Sequence, residues 1–316
     1  MKLKPDLGAM PRYMSPENDA AILAQALSET VRGQAEQFLS DGFVVIKEAV
    51  PPGLCDAAVT AFRKLEIDNP QIFQPARLGS SRYPRIVNLH LVLPQFRDLF
   101  ELNVQALELQ DFLFGDEACV YTSLFFEHGS EQSLHRDTPY FCTRPEYRYF
   151  GMWVALEAVD DDNGPLMVAP RGHRLPDPDR QALARAFLPP DEATPQFSEP
   201  LWNAYQQDVS DACDAAGLTR QTVRLNKGDT IVWHPQLPHG GRAIRDYDRT
   251  RLSVVFHCIP KDTPVYKLDA FLNPNQAFPT EMNWPYQSGE TRAFVRHAHV
   301  TFDVHFHHRP AEFKGF

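Results

Sequence analysis

The chain has 316 residues, 43% of them apolar, with a net charge of −10 and a pI near 5.6. That balance excludes the basic patches needed for non-specific binding to nucleic acid or an anionic membrane, and leaves small molecules as the expected partners. Five cysteines (Cys55, Cys119, Cys142, Cys213 and Cys258) are odd in number and never spaced CxxC, which excludes a disulfide framework or structural zinc site and suits a reducing compartment.

The N-terminal Met-Lys-Leu-Lys-Pro-Asp has charge but no following apolar run, and no membrane-length apolar stretch follows, so a cytoplasmic location is expected. Ile22, Leu23, Ala26, Leu27, Val31, Phe38 and Leu39 recur at helical spacing and predict a helix over 16–40, capped by Ser15. Asp41-Gly42 ends it and Phe43-Val44-Val45-Ile46 reads as a buried strand. Pro51-Pro52-Gly53 opens a second helix through about Leu65, a loop-like stretch covers 68–94, and a further helix is predicted over 95–114. Strands then dominate: 120–126, 149–159, 166–169, 222–225, 230–233 and 251–259, separated by turn signals such as Lys227-Gly228-Asp229 and Gly240-Gly241. Short strands so punctuated predict a sandwich or barrel. Prolines and helical patches near 179–188 and 200–216 mark 174–220 as an insertion, either a lid or surface decoration. Residues 260–298 read as a long ordered loop. The alternating 299–308 segment fits a half-exposed strand, with a second metal site as the alternative for its histidines.

The sharpest local signal is Leu134-His135-Arg136-Asp137. Side chains two apart on a strand project the same way, so His135 and Asp137 face one metal from one side. His239, flanked by glycines that permit close approach, is the favoured third ligand, and His234 is its rival. Two histidines and one carboxylate on one face of iron leave the other positions open for a co-substrate and O₂. Such an oxygenase needs a cation for the far carboxylate of 2-oxoglutarate, and arginine's fork grips a carboxylate through two parallel hydrogen bonds. Arg249 and Arg251 share parity before the strand 252–257, with Arg251 deeper in the apolar run; the competing reading is a salt bridge to Asp246 or Asp248.

Four stretches give the chain its resemblance to the phytanoyl-CoA dioxygenase (PhyH) family. They are Asp41 to Ile46; His135-Arg136-Asp137; Trp153 to Glu157 running into Asp162 to Leu166 and Pro170 to His173; and Gly228-Asp229 to His239-Gly240, then Arg251. The resemblance implies a mainly β fold with flanking α: a double-stranded β-helix (jelly-roll, cupin-like) core with N-terminal helices and a helical insertion. With no internal repeat, low-complexity tract or obvious linker, the chain reads as a single 1–316 domain: N-terminal support (1–115), a core (116–259, insertion 174–220) and a C-terminal extension (260–316). The resemblance also implies His135, Asp137 and His239 as Fe(II) ligands, Arg251 as the 2-oxoglutarate clamp and Trp153 beside the co-substrate. Where the family usually has a serine two places after the second histidine, this chain has Gly241; its arginine also falls one residue late, which keeps Arg249 as the alternative clamp.

The implied reaction decarboxylates 2-oxoglutarate to succinate and CO₂ and oxidises a C–H bond. Asp137, where halogenating relatives carry a small residue, points to hydroxylation rather than halogenation. Desaturation, epimerisation and ring closure are the runner-up outcomes. A metal-dependent cupin-like enzyme without 2-oxoglutarate and a non-catalytic binding protein are the rival classes. Arg82, Arg85, Arg136, Arg144, Arg148, Arg171 and Arg174 either attract an anionic substrate or form surface ion pairs. Phe125, Phe126, Tyr140, Phe141, Tyr149 and Phe150 wall a pocket or fill the core.

Overall fold

The computed structural model describes residues 9–78, 82–189, 193–275, 284–304 and 307–313. In place of one helix over 16–40 there are two, α1 (Asp19–Leu23) and α2 (Glu29–Asp41). The break falls at Leu27, whose side chain is 97% exposed, and Ser28 restarts the helix by accepting from the Val31 N–H. Gly42, at φ +86°, closes α2 where any Cβ would strike the His173 ring. Next come α3 (Pro52–Asp68) and α4 (Pro70–Phe73). The helix expected over 95–114 is also divided, into α5 (Pro94–Glu101) and α6 (Val104–Phe114). Asn103 sits buried between them and donates its side-chain amide to Thr230 Oγ1 at 2.7 Å. The insertion carries α7 (Arg180–Phe187) and α8 (Glu199–Ala215), and α9 (Leu268–Leu272) lies in the stretch read as loop.

The strands begin with β1 (Phe43–Ile46), β2 (Arg85–Val87), β3 (Ala118–Phe126), β4 (Cys142–Thr143) and β5 (Phe150–Ala155). They continue with β6 (Leu166–Val168), β7 (Gln221–Val223), β8 (Thr230–Trp233), β9 (His239–Gly241) and β10 (Ser253–Pro260). The last are β11 (Val265–Tyr266), β12 (Tyr286–Ser288), β13 (Ala293–Val295), β14 (Val300–Val304) and β15 (His307–Ala311). Among the described residues one large sheet runs β1-β8-β5-β10-β3-β2-β14-β15, with β13 pairing β3 and β12 pairing β13. A second sheet, β7-β6-β9, faces it across the interior, and the two form the jelly roll. The insertion joins β6 to β7, which pair directly with each other, so it decorates a single hairpin.

The central strands β5, β8 and β10 of the large sheet are buried on both faces. Along β10, Val254, Phe256 and Cys258 join the cluster that includes Phe38, Phe62 and Phe100 of the N-terminal helices. Val255 points the other way, into the barrel interior with Trp153, Ile231, Trp233 and Val168. Burying each large apolar side chain stabilises the fold by roughly 1.5–3 kcal/mol. Helices on one face therefore hold the sheet rigid while the other face is free to shape a pocket. All five cysteines are buried and unpaired. The 299–308 segment is β14 with the start of β15: Val300 and Phe302 face the core, and Thr301 and Asp303 line a cavity. His305 lies outside the described residues.

Candidate functional site

His135 and His239 come together through the backbone. They form an isolated antiparallel bridge in which each N–H donates to the other's carbonyl, at 2.8 and 2.9 Å. Each ring is then fixed by its own chain: His135 Nδ1 lies 2.8 Å from Ser133 O and His239 Nδ1 lies 3.0 Å from Leu237 O. A carbonyl only accepts, so each ring donates from Nδ1 and turns its Nε2 toward Asp137. Those Nε2 atoms sit 3.5 Å from Asp137 Oδ1 and Oδ2 respectively. The three ligand atoms lie within 4.8 Å of one another.

The charge states suit a cation. Burial pulls His239 down to about 4, so it stays neutral. Burial acts to raise the Asp137 carboxyl, but His239, His135 and His257 outweigh it and hold it well below the ordinary carboxylate range. Two imidazoles and one ionised carboxylate, all on one side of an open cavity, fit a mononuclear ferrous ion.

Two further residues hold Asp137. Trp233 Nε1 and His257 Nε2 both lie 3.3 Å from its Oδ2. His257 is in turn stacked on Phe141, with ring centroids 3.7 Å apart and an interplanar angle of 10°. Neither residue emerged from the sequence reading, although a signal existed: His257 shares parity with Val255 along β10. Gly151, directly opposite Trp233 across β5 and β8, leaves the space the indole occupies.

These three side chains open into a cavity of about 410 Å³. Arg251 lines it, 5% exposed. Its guanidinium lies 5.1 Å from the Trp153 ring and 5.6 Å from Phe126. One nitrogen donates to His128 O at 3.3 Å, and Nε has no partner. Among the described residues no carboxylate lies within ion-pair distance, and burial draws the group down to about 10, still protonated at neutral pH. The competing pairing of Arg251 with Asp246 or Asp248 does not form among the described residues. Arg249 is placed elsewhere: it forms a bidentate pair with Asp160 on the surface, both contacts 2.9 Å. Its segment is a turn that ends before β10 begins, so the parity it appears to share with Arg251 is not a strand's parity. A Cβ at Gly241 would sit 2.9 Å from Ser130 Oγ, and the Ser130 hydroxyl lines the cavity there.

His234, the rival ligand, is buried on the helical side against His173, Tyr13 and Phe38. Most of the arginines also point elsewhere. Arg136, of opposite parity to its neighbours, bonds Asp177 and the carbonyls of Gly172, Leu175 and Pro176, and so anchors the start of the insertion. Arg174 pairs with Asp19, Arg144 with Glu146, and Arg148 with Asp116. Of the seven, Arg85 lines the cavity. Phe126, Tyr140 and Phe141 wall it, whereas Phe125 and Phe150 are core. Above the ligands Trp202 of α8 packs on His135 and Tyr140, with centroids 5.4 and 4.9 Å away, so the insertion roofs the site.

A jelly roll with two histidines and a carboxylate at one end of its interior defines the class of mononuclear non-haem metal proteins. The Phytanoyl-CoA dioxygenase (PhyH) family model matches residues 38–251, and the chain belongs to that family. It is similar to the peroxisomal phytanoyl-CoA dioxygenase of Bos taurus, 32% identical over 111 residues, which are 35% of this chain and 28% of that protein. It is also similar to phytanoyl-CoA dioxygenase domain-containing protein 1 of Danio rerio, 25% identical over 48% of this chain and 47% of that protein. The chain thus spans less than half the length of either relative. In fold it is similar to the non-heme alpha ketoglutarate dependent epimerase SnoN from nogalamycin biosynthesis: TM-score 0.55, 20% identity, 84% of this chain and 98% of that one. EctD from S. alaskensis with bound Fe gives TM-score 0.54, 18% identity, 75% and 79%. SnoN is known in complex with Fe³⁺ and alpha ketoglutarate, and EctD with 2-oxoglutarate. No helix among the described residues is long and apolar enough to cross a membrane.

Proposed function

We propose that this chain is an Fe(II)- and 2-oxoglutarate-dependent dioxygenase that hydroxylates a C–H bond of a small organic molecule. The observation that carries the reading is Arg251: a buried guanidinium with no carboxylate at ion-pair distance among the described residues, facing the same cavity as His135, Asp137 and His239. An unpaired buried cation is costly, and a dicarboxylic acid supplies the missing anion. A cupin-like metal enzyme without 2-oxoglutarate has no need of it.

With 2-oxoglutarate and O₂ bound, iron supplies the oxidising power that removes hydrogen from the substrate. The protein's residues do the rest. His135 and His239 offer fixed Nε2 atoms, and Trp233 and His257 orient the Asp137 carboxylate. Arg251, held over Trp153, grips the distal carboxylate, and Ser130 offers a hydroxyl beside it. The insertion, with Trp202 over His135, limits water at the centre. Epimerisation or ring closure remains the second reading, since it begins with the same hydrogen abstraction.

The test is anaerobic titration with Fe(II) and 2-oxoglutarate, following the weak visible band of the chelate, then succinate release in air. His135→Ala and Asp137→Ala should abolish both signals. Turnover by purified Asp137→Ala with iron and 2-oxoglutarate would overturn the assignment.

A further inference from the structure

The roof brings a reactive ring to the triad. Trp202 stands in the first turn of α8, where its backbone N–H donates to Ser198 O at 2.9 Å. Its side chain is half-buried and lines the cavity together with His135, Asp137 and His239. Leu201, Tyr205 and Val209 of the same helix are buried in one cluster with Leu268 and Phe271, which fixes α8 to the body of the protein. Tyr205 also stacks on the indole, with centroids 5.8 Å apart and 20° between the ring planes. The ring is therefore held at the cavity, its centroid 5.4 Å from that of His135.

Among the described residues two cavity-lining aromatic rings meet an imidazole of the triad: Trp202 meets His135, and Trp233 meets His239 at 4.9 Å. Trp233 is otherwise committed. It is 3% exposed, its indole N–H is engaged by Asp137, and its six-membered ring presses on Gly151, where a Cβ would lie 2.3 Å from Cζ2. Trp153 and Phe126 flank the Arg251 guanidinium, beside the distal carboxylate of the co-substrate. Tyr140 lies one ring further out, 4.9 Å from Trp202, and Phe141 is stacked on His257. Trp202 is thus the electron-rich ring left facing the triad with cavity beside it. An indole is readily oxidised, and a site that activates O₂ with its cavity empty turns that chemistry on its own nearest groups.

Resting on the oxygenase reading, we propose that Trp202 is a self-oxidation site: when 2-oxoglutarate and O₂ are consumed with no substrate in the cavity, the indole receives the hydroxyl group. The balance closes without an outside reductant. 2-Oxoglutarate loses CO₂, takes one atom of O₂ into the new carboxylate of succinate, and gives up two electrons. The second atom enters the indole ring, where one C–H bond becomes C–OH and the ring gives up two electrons more. The ring hydrogen is retained as the hydroxyl hydrogen, and the four electrons reduce O₂ completely. Substrate lying between the triad and α8 shields the ring, so the modification records turnover that has lost its substrate.

The experiment incubates the Fe(II)-loaded protein with 2-oxoglutarate under isotopically labelled O₂, with no other organic substrate, and reads intact mass and peptide maps. The chain should gain a single labelled oxygen atom, at Trp202, in step with succinate release. Supplying succinate in place of 2-oxoglutarate should cut the labelling at least about tenfold, which separates self-oxidation from damage by iron and O₂ alone. In Trp202→Phe the label on the peptide containing residue 202 should fall at least about tenfold while succinate is still released. The wild-type map decides the site by itself, whether or not that variant folds. Label concentrated on Tyr140, Phe141, Trp233 or a methionine, succinate release from a chain that stays unlabelled, or equal labelling with succinate would each overturn the inference. Wild-type protein that forms neither the chelate band nor any succinate would refute the oxygenase reading itself.

Discussion

Gly151→Ala tests how the metal centre is held. A Cβ at residue 151 would lie 2.0 Å from Trp233 Cε2, 2.3 Å from Cζ2 and 2.4 Å from Nε1, where ordinary contacts are 3.4–4 Å. The indole must retreat by more than an ångström. It has little room: Trp233 is 3% exposed, and its ring packs on His239 at 4.9 Å. Overpacking of this kind costs about 1–3 kcal/mol, a fall in Tm of roughly 2–10 °C for a chain of this size. Displacement also removes the indole N–H from Asp137 Oδ2, and loss of such an orienting contact weakens metal binding by about 10–100-fold. Thermal unfolding with and without Co(II), and anaerobic Co(II) titration, read both effects. Trp233→Phe added to Gly151→Ala should restore stability but not metal affinity, because the smaller ring relieves the clash without supplying a donor. A Gly151→Ala protein with wild-type Tm and metal affinity would refute the reasoning.

Arg251→Met should raise the 2-oxoglutarate dissociation constant by about 30-fold or more while raising the Tm of the metal-free protein, because a buried cation whose desolvation outweighs the attraction of Glu157 is removed; a lower Tm would count against that balance. Asp229→Ala should destabilise by about 2 kcal/mol, since Asp229 accepts from the Asn226 and Glu48 N–H groups and from Lys47. Burial acts to raise the Asp229 carboxyl, yet Lys47 and those two N–H groups hold it below the ordinary range. Its contribution is therefore full above its unfolded value of about 4 and is lost as pH falls through the lower folded value, so the gap between the two proteins in urea unfolding should close in acid. Arg136→Met should release the start of the insertion and speed proteolysis between 174 and 220; an unchanged cleavage pattern would show that the anchor is redundant.

The strands were legible because β10 and its neighbours combine apolar runs with firm turn chemistry. The divided helices were not. Apolar spacing continues through Leu27, and only the cap at Ser28 reveals the break; Asn103 leaves its helix for Thr230, a partner far along the chain. β2 is three residues long and is held between β3 and β14, so nothing local marks it. His135, Asp137 and His239 could be grouped as candidates because strand parity and flanking glycines have direct geometric meaning, and the fold brings their ligand-capable atoms within 4.8 Å of one another. Trp233 and His257 could not, since each meets Asp137 through what folds against it. The arginines illustrate the same limit. Proximity in sequence made them look like one patch, whereas Arg136 turns inward to the insertion and Arg85 turns to the cavity.

The reciprocal hydrogen bonds between residues 135 and 239 place both imidazoles on one rung, so the gap between them is a sheet spacing, independent of the length of chain that connects them. The insertion falls within that connecting chain and hangs from the β6–β7 hairpin. It can lengthen, shorten or change composition without retuning the distance between the two rings. Substrate choice and metal geometry are thereby free to diverge separately, the first in the roof and the second in the frame.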